Sequence, residues 1–238
     1  MLRYTLVGHC LLLLTFIYST FCANKVLFIS FDGFRHDYLD MAEKAGRNIS
    51  AFKRIRGAGF QAEVQNVMIT LTFPSHYAMA TGRNVENHGL VGNNFYDPEL
   101  GKKYSYKKSE RNLESPWFEY AGAEPLWSTN ERHGSRSCSN TFILHLSLAT
   151  TDGMHGYDNE ESDMHPFMLS MGPDIPHLTE RQHFYQIDLY PYICAMLGLD
   201  KPNKIDGLID RVLPYLKERP SEQYLERFRL YASGTLTT

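Results

Sequence analysis

The stretch that most limits what this chain can become is Val26-Leu27-Phe28-Ile29-Ser30-Phe31, an apolar, β-rich run without polar alternation that stops at Asp32-Gly33. A strand with one wet face alternates, so an unbroken run predicts a strand buried on both faces, as in a parallel sheet covered by helices. Ligands of open α/β sheets gather at the carboxyl ends of the strands, which makes Asp32 a site candidate. Asp32 is read equally well as the cap of the turn that follows it.

The next unit keeps a βαβ rhythm. A short amphipathic helix carries Phe52 and Ile55, breaks at Gly57 and Gly59, and gives way to a strand over 62–67. The text then runs Thr70-Leu71-Thr72-Phe73-Pro74-Ser75-His76-Tyr77-Ala78-Met79-Ala80-Thr81-Gly82, where Pro near the start and Gly at the end delimit a helix. Thr72 stands at its N-terminus, where free N–H groups and the helix dipole favour an alkoxide or a phosphate oxygen. Capping is the ordinary work of a Thr there, and the nucleophile is the sharper reading. Further on, 89–98 reads as a short strand and turn with Asn93 as an amide donor. Helices are predicted over 125–131, over 187–197 with Gly198 as the stop, and over 208–216 and 221–230; a strand is predicted over 167–170. The passage 135–150 fits neither neighbour.

With 43% hydrophobic and 21% charged residues and a formal net charge of −3, the chain is neither disordered nor a duplex nucleic-acid binder. Lys102, Lys103, Lys107 and Lys108 alternate with Tyr104 and Tyr106 as a polar loop. Residues 1–23 carry Arg3, an apolar run over 11–17 and small or turn-forming residues up to Ala23, the layout of a signal peptide cleaved near Cys22 or Ala23. The run is short of the roughly 20 residues of a membrane span, so the mature chain 24–238 is expected to be one secreted domain with no membrane span. Cys138 and Cys194 remain after cleavage, either paired or each without its partner. Asn48-Ile49-Ser50 is a glycosylation sequon.

Four motifs together resemble the ectonucleotide pyrophosphatase/phosphodiesterase family of the alkaline phosphatase superfamily. They are Ser30-Phe31-Asp32-Gly33-Phe34-Arg35, Thr72-Phe73-Pro74-Ser75-His76-Tyr77, Asn93-Asn94-Phe95-Tyr96-Asp97-Pro98 and Ala123-Glu124-Pro125-Leu126-Trp127-Ser128-Thr129-Asn130. His155-Gly156-Tyr157-Asp158-Asn159 and Asp163-Met164-His165-Pro166 are most similar to members four and five. The resemblance implies an α/β, alkaline-phosphatase-like sandwich with a mostly parallel central sheet, helices on both faces, and two zinc ions at the carboxyl end of the sheet. It implies Asp32 and Thr72 as ligands of one zinc and His155 as a ligand of the other. Thr72 is then the nucleophile, Asn93 the amide that holds a phosphate oxygen, and Phe73 one wall of a nucleobase slot.

The resemblance also implies a loss. The family carries Asp-x-x-Gly-His-x-x-Gly and Ser-Asp-His-Gly-Met where this chain has a junction at about 135–151, and those motifs supply two ligands to each zinc. His36, His76 and His165 are candidate substitutes, with packing or surface exposure the favoured reading for each. Loss of the strands in that segment predicts unpaired edges and exposed apolar surface. The functional expectation is a zinc-dependent hydrolase of nucleotide phosphodiester or pyrophosphate bonds, weak or inactive in this form. Its rivals are a secreted nucleotide-binding decoy without catalysis and the product of a junction between distant exons.

Overall fold

The sheet is built on β1, Gly59–Gln65, which is buried except at Glu63 and Gln65. In this computed structural model, which describes residues 24–106, 117–118, 122–137 and 154–238, β1 pairs with β4 (Phe167–Met171) and β5 (Gln182–Tyr185) in the order β4-β1-β5. The β1/β4 pair is antiparallel, with Phe60 opposite Ser170, and the β1/β5 pair is parallel, with Val64 opposite Phe184. The α/β class holds, but the sheet is mixed where a mostly parallel one was expected. A two-stranded antiparallel ribbon, β2 (Asn94–Asp97) with β3 (Lys102–Ser105), stands apart from it.

The predicted helices are largely where the sequence puts them. The first two, α1 (Tyr38–Lys44) and α2 (Ser50–Ala58), precede β1, and α3 spans Thr72–Thr81. A short α4 (Val85–His88) follows, then α5 (Leu126–Arg132), α6 (Leu189–Leu197), α7 (Ile209–Val212) and α8 (Glu222–Ala232). Two ends show why the pattern was legible. Gly198 closes α6 in the left-handed conformation (φ 72°), which a Cβ resists. Ser221 opens α8 by accepting the N–H of Tyr224 at 3.2 Å, a side-chain cap.

One core fills the space between the sheet and the C-terminal helices: Phe60, Ala62 and Val64 of β1, Phe184 of β5, Tyr190 and Tyr192 of α6, and Leu225 and Phe228 of α8. Cys194 lies in that core as a buried free thiol, and burial pushes its pKa well up. Its proposed partner Cys138 lies outside the described residues. A second cluster joins Tyr77, Leu90, Tyr104 and Trp117 under α3 and the ribbon.

The strand expected over 26–31 does not form. Leu27 is 85% exposed and Ile29 63%, and no main-chain hydrogen bond joins 25–31 to another described residue. An unalternating run needs a ladder and a cover on each face to be a buried strand, and no described strand lies beside this one. Only its end is packed, the Phe31 ring meeting Phe34 and Phe167 at 5.8 Å each. The run therefore stands as exposed apolar surface.

His88 sits fully buried at the end of α4, and its Nδ1 accepts the Leu90 N–H at 3.1 Å. Burial lowers its pKa from 6.5 to about 4, against smaller raising effects of nearby backbone groups. The unfolded chain takes up this proton as pH falls through 6.5, whereas the folded protein takes it up only near 4, so stability falls across that window. The loss due to this residue is roughly 3 kcal/mol, at about 1.4 kcal/mol per decade of proton affinity. Urea midpoints at the two ends of the window should thus converge in His88→Gln relative to the parent protein; equal pH slopes in the two proteins would remove His88 from the account.

Candidate active site

Asp32 follows the uncovered run in a turn that Gly33 makes with φ 64°. Thr72 is the first residue of α3, entered from Leu71 in an extended conformation (φ −99°, ψ 153°). Leu71, at the N-cap position, makes no side-chain cap bond. The Thr72 hydroxyl turns away from its own backbone and donates to Asp32 Oδ2 at 3.1 Å, so the capping reading fails for Thr72. Thr72 is only 9% exposed, and its hydroxyl is held to a carboxylate at a helix N-terminus.

The other expected residues assemble around this pair. Asn93 Oδ1 accepts the Phe73 N–H at 3.0 Å, so its amide nitrogen is left as the outward donor. His155 Nε2 lies 3.9 Å from Asp32 Oδ1, and its Nδ1 is held 2.9 Å from the Thr70 carbonyl oxygen. That carbonyl only accepts, which puts a ring proton on Nδ1 and turns Nε2 toward Asp32. Gly156 N–H donates to Thr70 Oγ1 at 2.9 Å, and Thr70 Oγ1 donates to the Tyr157 carbonyl at 2.8 Å. Asp32, Thr72, Phe73, Asn93 and His155 are therefore neighbours, although they come from four separate stretches of sequence.

Phe73 is half-buried and its ring stands 6.0 Å from Tyr106 and 6.3 Å from Tyr104. Sequence reasoning did not see the tie between the two elements of the site. His76 Nδ1 is 2.7 Å from the Thr72 carbonyl and its Nε2 is 2.9 Å from Ser30 Oγ. The carbonyl requires a proton on Nδ1, and Nε2 shares the remaining hydrogen bond with the Ser30 hydroxyl. The spacing was a usable signal, since a residue four beyond Thr72 lies on the same helical face.

Zinc, which the resemblance implies, is poorly served. Asp32, His155 and the Thr72 hydroxyl are the donors at the site, and among the described residues no group of three or more His, Cys, Asp or Glu could hold a metal ion. Zinc sites ordinarily have at least three protein ligands of those types, so these residues do not fit a tightly held zinc. The candidate substitutes are committed elsewhere: His76 as above, His165 to Glu63 and Asn159, and His36 beside Glu63 and Arg181. Asn48 is exposed, its Oδ1 accepting the Ser50 N–H at 3.0 Å.

The fold is that of the alkaline-phosphatase-like α/β proteins. The structure of human ectonucleotide pyrophosphatase/phosphodiesterase 5 matches it with a TM-score of 0.67 and 18% identity, over 82% of this chain and 100% of that one. The murine counterpart, an inactive form in complex with AMP, matches equally well over 81% of this chain and 100% of that one, at 18% identity and a TM-score of 0.67. A family model for type I phosphodiesterase/nucleotide pyrophosphatase matches residues 26–221. The chain belongs to the type I phosphodiesterase/nucleotide pyrophosphatase family. It is 41% identical over 115 residues to mouse bis(5'-adenosyl)-triphosphatase enpp4, covering 48% of this chain and 23% of that protein. It is 40% identical over 115 residues to human ectonucleotide pyrophosphatase/phosphodiesterase family member 5, covering 48% and 22%. The alignments thus span less than a quarter of the length of these curated relatives.

Proposed function

We propose that this chain is a secreted nucleotide phosphodiesterase or pyrophosphatase in which Thr72 attacks phosphorus. The observation that carries this reading is the Thr72 Oγ1 to Asp32 Oδ2 hydrogen bond at the first residue of α3. Asp32 accepts the hydroxyl proton as the Thr72 oxygen bonds to phosphorus, the alcohol or phosphate leaving group departs, and water then cleaves the threonyl phosphodiester. The positive end of α3 and the Asn93 amide nitrogen meet the charge on the phosphoryl oxygens. Phe73 offers a face to a base, and AMP in the murine neighbour supports a nucleotide as the ligand. The leader-like residues 1–23 support secretion, and among the described residues no helix is long and apolar enough to cross a membrane. Asn48 is proposed as the glycan site.

With zinc poorly served, this chemistry runs on a carboxylate and a helix terminus alone and is correspondingly slow. The same shortage favours a second reading, a nucleotide-binding protein without turnover. Residues 24–238 are expected to bind AMP by calorimetry and to hydrolyse a chromogenic phosphodiester above the buffer rate, with no dependence on added zinc. Binding without hydrolysis selects the second reading, and absence of both rejects the site.

A further inference from the structure

Residues 154–166 carry His155 to Asp32, and polar contacts hold this segment to the end of β1. Asn159 Nδ2 donates to the Asn66 carbonyl at 2.9 Å, Gln65 Nε2 to the Asn159 carbonyl at 3.0 Å, and Asn66 Nδ2 to the Met164 carbonyl at 2.5 Å. At the centre is His165, 7% exposed. Its Nδ1 lies 2.7 Å from Glu63 Oε1 and its Nε2 lies 2.9 Å from the Asn159 carbonyl oxygen. A carbonyl oxygen and an ionised carboxylate both only accept, so only a ring protonated on both nitrogens makes the two bonds at once.

The surroundings leave the Glu63 charge to this ring. Burial raises the Glu63 pKa, but the hydrogen bond from His165 and the charges of His36, His165 and Arg181 outweigh it and hold the carboxyl below its ordinary value. His36 Nδ1 is 3.6 Å from Glu63 Oε2, yet the same nitrogen is 3.4 Å from an Arg181 guanidinium nitrogen. At 3.6 Å the His36 nitrogen lies beyond hydrogen-bond reach of Glu63, so the short bond to this carboxylate is the one from His165. Arg181 is engaged with Asp40 of α1, which Arg56 of α2 also approaches at 3.7 Å. Arg35 is bound to Asp37 and, at 2.7 Å, to Asp163. Glu160 is 3.1 Å from Gln65 Nε2.

We propose that His165 is a positioning residue: clasped as an imidazolium between Glu63 and the Asn159 carbonyl, it fastens the loop that presents His155 to Asp32, and it loses one side of the clasp on giving up its proton. One remaining proton serves one acceptor, and the other acceptor then faces a lone pair. This inference concerns the position of the loop and stands whether or not Thr72 turns over a substrate.

The test is a nuclear magnetic resonance titration of the ¹⁵N-labelled protein from about pH 5 to about pH 9, the range that brackets histidine. The His165 ring nitrogens and the Gly156, Tyr157 and Asn159 amides are followed together. These amides are expected to shift with the same midpoint as the ring. In Glu63→Gln the side-chain amide donates to a neutral Nδ1 while Nε2–H still reaches Asn159, so the loop amides are expected to lose their pH dependence and stay at the low-pH positions. Loop amides that stay flat while His165 titrates in the parent protein overturn the proposal, as does an unchanged pH dependence in Glu63→Gln. If that variant does not fold, the parent titration decides alone.

Discussion

Thr72→Ala is expected to lower the turnover of a chromogenic phosphodiester by on the order of 10⁴-fold, or to the buffer rate if that is reached first, while the affinity for AMP changes by less than about twofold. The first figure follows from removing the covalent nucleophile, a loss that other residues of a catalytic unit do not replace. The second follows because the groups that meet a phosphate here, the α3 N-terminus and the Asn93 amide, are untouched. Thr72→Ser keeps the oxygen and its bond to Asp32 and should retain a measurable rate. Steady-state kinetics with titration calorimetry separate the two effects. Equal rates for the parent protein and Thr72→Ala would show that no turnover passes through this hydroxyl.

Gly59→Ala is expected to destabilise the fold by about 3 kcal/mol or more, the upper range for forcing atoms into a packed interior. A Cβ at Gly59 would stand 1.9 Å from the Ser170 carbonyl oxygen and 2.9 Å from Met171 Cα. These are main-chain atoms of β4 in register with Gly59 and Phe60, so relief requires the β1/β4 ladder to part. For a chain of this size such a loss lowers the melting temperature by roughly 10 °C. Two residues earlier, Gly57 lies inside α2, and a Cβ there would have nothing within 4 Å, so Gly57→Ala should stabilise by about 0.5–1 kcal/mol. Thermal unfolding of the pair is a matched measurement, since each variant adds the same methyl group. Similar melting temperatures for the two would contradict the packing at the start of β1.

What could be read from the sequence was local. Gly198, Ser221 and the apolar periods of α6 and α8 act through neighbours a turn away, so they marked their helices without knowledge of the rest. The site was legible through motifs: Asp32, Thr72, Asn93 and His155 meet in space although nothing in their spacing alone brings them together. The run 26–31 was misread for the opposite reason. Its composition describes a strand with a ladder and two covered faces, and burial depends on distant partners that a local pattern cannot register. The antiparallel edge strand β4 turned the sheet mixed by the same kind of long-range choice. His76 was read as a candidate ligand with packing or surface exposure favoured, and its bridge from Ser30 to the Thr72 carbonyl needed the relative placement of two elements.

Asp32 ends a segment that no ladder among the described residues secures. Its position rests on the hydroxyl of Thr72, on the Ser30 to His76 link and on the rings around Phe31, and few such contacts open at a free energy well below that of global unfolding. The arrangement that orients the nucleophile is then one member of a native ensemble. Every affinity and rate at this site is scaled by the fraction of molecules in which Asp32 is home. A ligand that bridges Asp32 and Thr72 would raise that fraction, and it would slow amide exchange in residues 26–34 ahead of any change in the C-terminal core.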